Sequence, residues 1–93
     1  MKTIKLPEFK SKFAGQLRIY DEGDVVQNPF SGETYELNAE ELSVYDYILG
    51  LQYVIDRVGG AFSPQSFEFQ KDLRIGLDWF RKHNAEAYMV LLD

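Results

Sequence analysis

His83 is the only histidine of the 93-residue chain, and there is no cysteine. The usual zinc sites need several imidazole or thiolate ligands, so this residue set excludes them. His83 follows Arg81 and Lys82 near a predicted helix C-terminus, where it complements the helix dipole. Asp21, Glu22 and Asp24 flank Gly23 and could chelate a cation, but no acidic residue closes a twelve-residue loop as in an EF-hand. A solvated turn is the plainer reading. Asp46 and Asp56 sit ten residues apart on one predicted helix, about 80° apart around it at 100° per residue, which makes a poor acid–base pair. Ser31-Gly32 and Ser63 lack a nucleophile-elbow context. The glycines spell neither G-x-G-x-x-G nor G-x-x-x-x-G-K-[ST]. Composition and spacing therefore assign no catalytic, metal-binding or cofactor-binding residue, and no cofactor.

The aromatic residues are left unaccounted for by any such chemistry. Phe62, Phe67, Phe69, Trp79 and Phe80 cannot all face one small core. Phe67 points away from the Leu73/Leu77/Phe80 stripe, and so does the Ile75/Trp79 pair. Either an N-terminal arm covers them or they form an intermolecular patch, as clustered exposed aromatics commonly do. Both hold if the arm is exchanged between subunits. The interface candidates are Phe67, Ile75 and Trp79, with Lys2, Lys5, Lys10 and Lys12 of the arm.

Charge is divided unevenly. Residues 1–18 carry Lys2, Lys5, Lys10, Lys12 and Arg18 against Glu8, a net of +4; residues 19–93 carry five basic and fourteen acidic residues, a net of −9. A basic arm on an acidic body suits an arm lying on that body, its own or a neighbour's. The −9 body argues against nucleic acid as a partner, because it repels phosphates. An apolar content of 45% with seven Phe, six Tyr and one Trp argues for a folded chain. No h-region of a signal peptide and no run near the roughly 18 apolar residues of a membrane span is present. The expectation is a soluble, cytoplasmic protein without a membrane partner.

The elements that must position these residues are legible around residues 37–60. Asn38 is a good N-cap, Glu41 completes a capping box, and Leu37 and Leu42 have the spacing of a hydrophobic staple. Gly59-Gly60 supplies a left-handed C-terminal cap. The intervening helix has two apolar stripes: Leu42, Tyr45, Leu49 and Tyr53, then Val44, Tyr47, Ile48, Leu51, Ile55 and Val58. A helix apolar nearly all round is a buried, central one. Before it, residues 16–20, 25–27 and 33–37 read as three short strands joined by turns at Gly23, where positive φ suits glycine, and at Asn28-Pro29-Phe30-Ser31-Gly32. Residues 8–14 could form one helical turn, and residues 3–6 an edge strand or extended arm. After Ser63-Pro64, an N-cap with proline behind it, a helix runs from residue 64 or 66 to about His83. Phe69, Leu73, Gly76, Leu77 and Phe80 form its core face, and Gly76 admits a close helix–helix approach. Asn84 ends it and caps a short helix over residues 85–92, whose Tyr88, Met89, Leu91 and Leu92 close the core. A strand over residues 88–92 is the alternative.

The expected architecture is a single α+β domain over residues 1–93. It comprises a basic arm (1–15), a small antiparallel β-meander of about three strands (16–37) and a helical part (38–93) with two main helices and a short C-terminal one. Asn28-Pro29-Phe30-Ser31-Gly32-Glu33, Leu37, Ala39-Glu40-Glu41-Leu42, Tyr45-Asp46, Gly76-Leu77-Asp78-Trp79-Phe80-Arg81-Lys82 and Tyr88-Met89-Val90-Leu91-Leu92-Asp93 together resemble small uncharacterised proteins encoded by tailed bacteriophages, especially marine ones. The likeness spans about residues 25–93. It implies a phage setting and an infected host's cytoplasm, and it transfers no site residue, because that family has no known activity. The functional expectation is a non-enzymatic, self-associating interaction protein, a dimer by preference, that could also engage a host or phage protein. The alternatives are an acidic decoy or inhibitor of a host nucleic-acid enzyme, presenting Glu36, Glu40, Asp46 and Asp56, and a small enzyme.

Overall fold

The longest element is fixed by its two ends. In the structure, a computed structural model that describes residues 6–11, 17–60 and 62–92, helix α1 runs Ala39–Arg57. The Glu41 N–H donates to the Asn38 side chain at 2.8 Å, and the Asn38 N–H donates to the Glu41 carboxylate at 3.0 Å. This is the expected capping box, which satisfies two donors that the first turn leaves without a helical partner. At the other end the Gly60 N–H reaches the Ile55 carbonyl at 2.9 Å and the Gly59 N–H reaches Asp56 at 3.4 Å. With φ of 110° at Gly59 and 87° at Gly60, the helix closes in a Schellman motif that glycine alone enters without a Cβ penalty.

A short 3₁₀ turn, Pro64–Ser66, leads into α2, Phe67–His83, and Asn84 separates α2 from α3, Ala85–Leu91. The Ala87 N–H donates to Asn84 at 3.1 Å, so the residue that stops α2 caps α3, and residues 88–91 are helix rather than strand. Val44, Ile48 and Leu51 of α1 are fully buried with Phe80 of α2 and Ala87 of α3. At Gly76 a Cβ would stand 2.9 Å from Ile48 Cγ1. A side chain there would push α1 and α2 apart, which is why glycine sits on a helix stripe despite its unfavourable propensity.

Strands β1, Asp24–Gln27, and β2, Thr34–Leu37, form a two-stranded antiparallel sheet, with Val26 opposite Tyr35 and Asp24 opposite Leu37. Tyr35 and Leu37 face inward while Thr34 and Glu36 are exposed, and β2 packs on α3 and α1. The α+β class stands. The meander has two strands rather than about three, because residues 17–20 join no ladder. The Tyr20 N–H instead donates to the Ser43 hydroxyl of α1 at 3.0 Å, and Leu17 packs among Tyr47, Leu51, Ile55 and Phe69. The segment is spent on covering a helix, which leaves Ile19 62% exposed.

Other details also depart from expectation. Gly23 does not take positive φ; a Cβ there would strike the Leu37 carbonyl oxygen and come within 2.8 Å of Asn38 Cα. The need is close approach of two backbones. Residues 8–11 are not helical. Met89 is 67% exposed instead of closing the core, with Ala87 buried in that role. The second stripe of α1 is buried apart from a half-buried Val58, but the first is covered only at Leu42 and Tyr45, with Leu49 and Tyr53 exposed. Lys2, Lys5 and Lys12, the expected edge strand up to residue 5, and residues 12–16 lie outside the described residues.

Candidate functional site

Asp72 sits on the buried face of α2 between Phe69 and Gly76, with no solvent exposure. A bare carboxylate there would be costly. It is satisfied by the N-terminal arm, residues 6–11. The Lys10 N–H donates to one oxygen at 2.7 Å and the Ser11 N–H to the other at 3.0 Å. The Tyr47 hydroxyl of α1 donates to that second oxygen at 2.8 Å and lies 3.3 Å from the Ser11 hydroxyl. Phe9 completes the contact, its ring centroid 4.2 Å from that of Tyr47. Burial pushes the Asp72 carboxyl up, but the hydrogen bonds from Lys10, Ser11 and Tyr47 outweigh it, so its pKa lies below the ordinary 3.8. Tyr47 is pushed up to about 12, first by burial and then by the adjacent Asp72 carboxylate. An ionised acceptor facing a protonated phenol, both enclosed and both hydrogen-bonded, is a clasp for the arm.

A second polar cluster joins the sheet to the helix ends. Glu41 is buried, and its other carboxylate oxygen accepts from the Asn84 amide at 3.0 Å. Asn84 also accepts from the Tyr35 hydroxyl at 3.3 Å. The N-caps of α1 and α3 are thereby tied to each other and to β2. Among the described residues no buried side-chain nitrogen or oxygen lacks a partner.

The turn between β1 and β2 is braced from several sides. The Asn28 side chain accepts from the Phe30 N–H at 2.8 Å and the Ser31 N–H at 3.2 Å, and donates to the Val90 carbonyl of α3 at 2.9 Å. The Gly32 N–H closes on the Asn28 carbonyl, and the Gln27 side chain donates to the Gly32 carbonyl at 3.0 Å. This framework presents Phe30 at 97% exposure. On α1, Leu49 shares a shallow groove with Phe30, Pro29 and Leu92, and Tyr53 is 64% exposed. On α2, a separate groove of about 380 Å³ has Ile55, Leu73, Leu77 and Tyr88 as apolar lining and Arg74 and Arg81 at its rim.

No family model, curated protein or solved structure matches this chain.

The sequence-predicted residues fall in different places. Phe67 is 54% exposed and lies beside Lys71 and Arg74. Ile75 is half-buried in a depression that includes Lys10 and Ser11 of the arm, and Trp79 is half-buried, edge-on to Phe80 and His83. Part of the predicted patch thus lies under or beside the arm. His83 is exposed at the end of α2, and Asp21, Glu22, Asp24, Asp46 and Asp56 are all exposed. No group of three or more metal-ligating side chains exists among the described residues. Neither is there, among them, a helix long and apolar enough to cross a membrane. Sequence reasoning missed Asp72 and Phe30. An acid at the third position between Phe69 and Gly76, on an apolar stripe, is a signal for the first. An aromatic between Asn-Pro and Ser-Gly is a signal for the second.

Proposed function

We propose that this chain is a non-enzymatic interaction protein that associates with itself, acting as an accessory or assembly factor in the phage setting that its resemblance implies. The observation that carries the reading is Phe30, an almost fully exposed aromatic on a turn whose backbone is pinned by Asn28 and Gln27. A turn whose backbone is already held loses little conformational entropy on binding, which is how preorganised interface anchors gain affinity. The two enclosed ionisable clusters, Asp72/Tyr47 and Glu41/Asn84, are engaged in holding the fold, and this supports an interaction role over catalysis. The test is molar mass by light scattering of the full chain across concentration, at low and high salt. A mass rising above the 10.8 kDa of one chain supports the reading, and a monomer throughout overturns it.

A second reading has its own support. Residues 19–60 carry nine carboxylates against Arg57, and a groove whose lining includes the exposed Asp21 and Glu36 lies at the start of α1. That concentration of negative charge suits a basic partner, such as the nucleic-acid-binding surface of a host enzyme. Salt-sensitive capture of such an enzyme by the monomer would favour it over self-association.

A further inference from the structure

The Phe30 turn and the α2 groove differ in shape and in charge, and they share no lining residue. Residues 19–37, which carry the turn, hold five carboxylates and no lysine or arginine. Of these, Glu33 lies in the turn itself, three residues from Phe30, and is exposed. The groove on α2 is the opposite. Ile55, Leu73, Leu77 and Tyr88 give it an apolar interior, and its volume of about 380 Å³ is ample for one aromatic ring. Its rim carries Arg74, Arg81 and Asp78; Arg81 donates to Asp78 at 2.6 Å, and Arg74 makes no ion pair among the described residues. The exposed part of α2 adds Lys71 and Lys82. So a molecule of net charge −5 has an apolar groove with a cation at its edge and, elsewhere, an exposed aromatic on a braced turn flanked by carboxylates; among the described residues neither Arg74 nor those carboxylates form an ion pair.

We propose that Phe30 of one copy inserts into the α2 groove of a second copy, between Arg74 and Arg81, with Glu33 of the first copy facing Arg74 of the second. This deepens the self-association reading and rests on it. An apolar ring entering a concave apolar site is the usual form of an interface hot spot, and the charges at its rim set orientation and encounter rate more than affinity. The contact joins two different surfaces, so a copy lacking one half can still be engaged through the other.

That property supplies the experiment. Phe30→Ala removes the ring and keeps the groove; Phe30 touches so little of its own chain that the fold is undisturbed. The double variant R74E/R81E keeps the ring and reverses the rim. Each alone is expected to associate at least tenfold more weakly than the wild-type chain and to scatter as a monomer at concentrations where the wild type does not. Mixed in equal amounts, they are expected to pair, giving twice the single-chain mass, and rising salt is expected to loosen the pair. Glu33→Arg combined with Arg74→Glu is expected to recover association that either change alone weakens. If Phe30→Ala associates as the wild type does, or if the mixed variants stay monomeric, the proposed contact is wrong while self-association stands. A wild-type chain monomeric at every concentration overturns both.

Discussion

The backbone N–H of Lys10 lies 2.7 Å from a carboxylate oxygen of Asp72, 62 residues further along the chain. A main-chain donor and a buried charge thereby hold residues 6–11 against α2, alongside the packing of Phe9 on Tyr47. Replacing that carboxylate by an amide of the same shape, Asp72→Asn, puts a second donor where Lys10 and Ser11 need an acceptor. A loss of about 2 kcal/mol is expected, the scale of a hydrogen bond to a charged group, read from urea unfolding. The same variant is expected to expose the Lys10–Ser11 bond to trypsin under native conditions, while α1 and α2 stay protected.

The clasp also fixes the pH response at both ends. The Asp72 carboxyl titrates below its ordinary 3.8 in the folded chain, so the folded state binds fewer protons there than the unfolded one. Its contribution is full above about pH 4 and is lost as the pH falls through the folded value. Tyr47 is the reverse case. Raised from 10.0 to about 12, it contributes stability that is full below pH 10 and is lost as the pH climbs toward 12. Urea midpoints followed across pH are expected to fall in both windows. Asp72→Asn is expected to flatten the acid limb, and Tyr47→Phe the alkaline one.

Gly76→Ala tests the helix contact. On an exposed helix the change would gain about 1 kcal/mol of propensity. Here the new methyl stands 2.9 Å from Ile48 Cγ1 and 3.4 Å from the Phe9 ring, and overpacking of this kind costs about 1–3 kcal/mol. A net loss is expected on thermal unfolding, with partial recovery in the double variant Gly76→Ala with Ile48→Val. A gain in stability would show that α1 and α2 have room to separate.

Asn84→Ala tests the second polar cluster. It removes the cap of α3, worth about 1 kcal/mol, and leaves one oxygen of the buried Glu41 without its amide partner. A total loss of roughly 2 kcal/mol follows. Hydrogen exchange is expected to show fraying at the start of α3 and not in the centre of α1. Uniform destabilisation without local fraying would contradict the assigned cap.

The helical half was legible because its boundaries are set locally. Asn38 with Glu41, Gly59-Gly60 and Asn84 are short-range signals whose partners lie within a few residues; Ser63-Pro64 opens a 3₁₀ turn without a side-chain capping bond, and α2 itself starts at Phe67. The failures share the opposite property. Residues 17–20 alternate like a strand, but where Tyr20 donates its N–H is decided by Ser43, 23 residues away. Gly23 is needed because β2 passes close by, which no local pattern announces. The clasp joins Ser11, Tyr47 and Asp72, three positions that no spacing rule connects. Exposure of Leu49 and Tyr53 depends on how far α3 and the β1–β2 turn reach across α1. A periodic stripe says only that a face is apolar, and does not say whether the chain has enough material to cover it.

Amide spectra of the ¹⁵N-labelled full chain, recorded over a dilution series, observe both proposed surfaces in one sample. If Phe30 seats in the α2 groove of a second copy, resonances of Phe30 and Ser31 shift on dilution together with those of Arg74, Leu77 and Arg81, while the centre of α1 stays still. Shifts confined to the Leu49 and Tyr53 face, or no shift at any concentration, would contradict that contact.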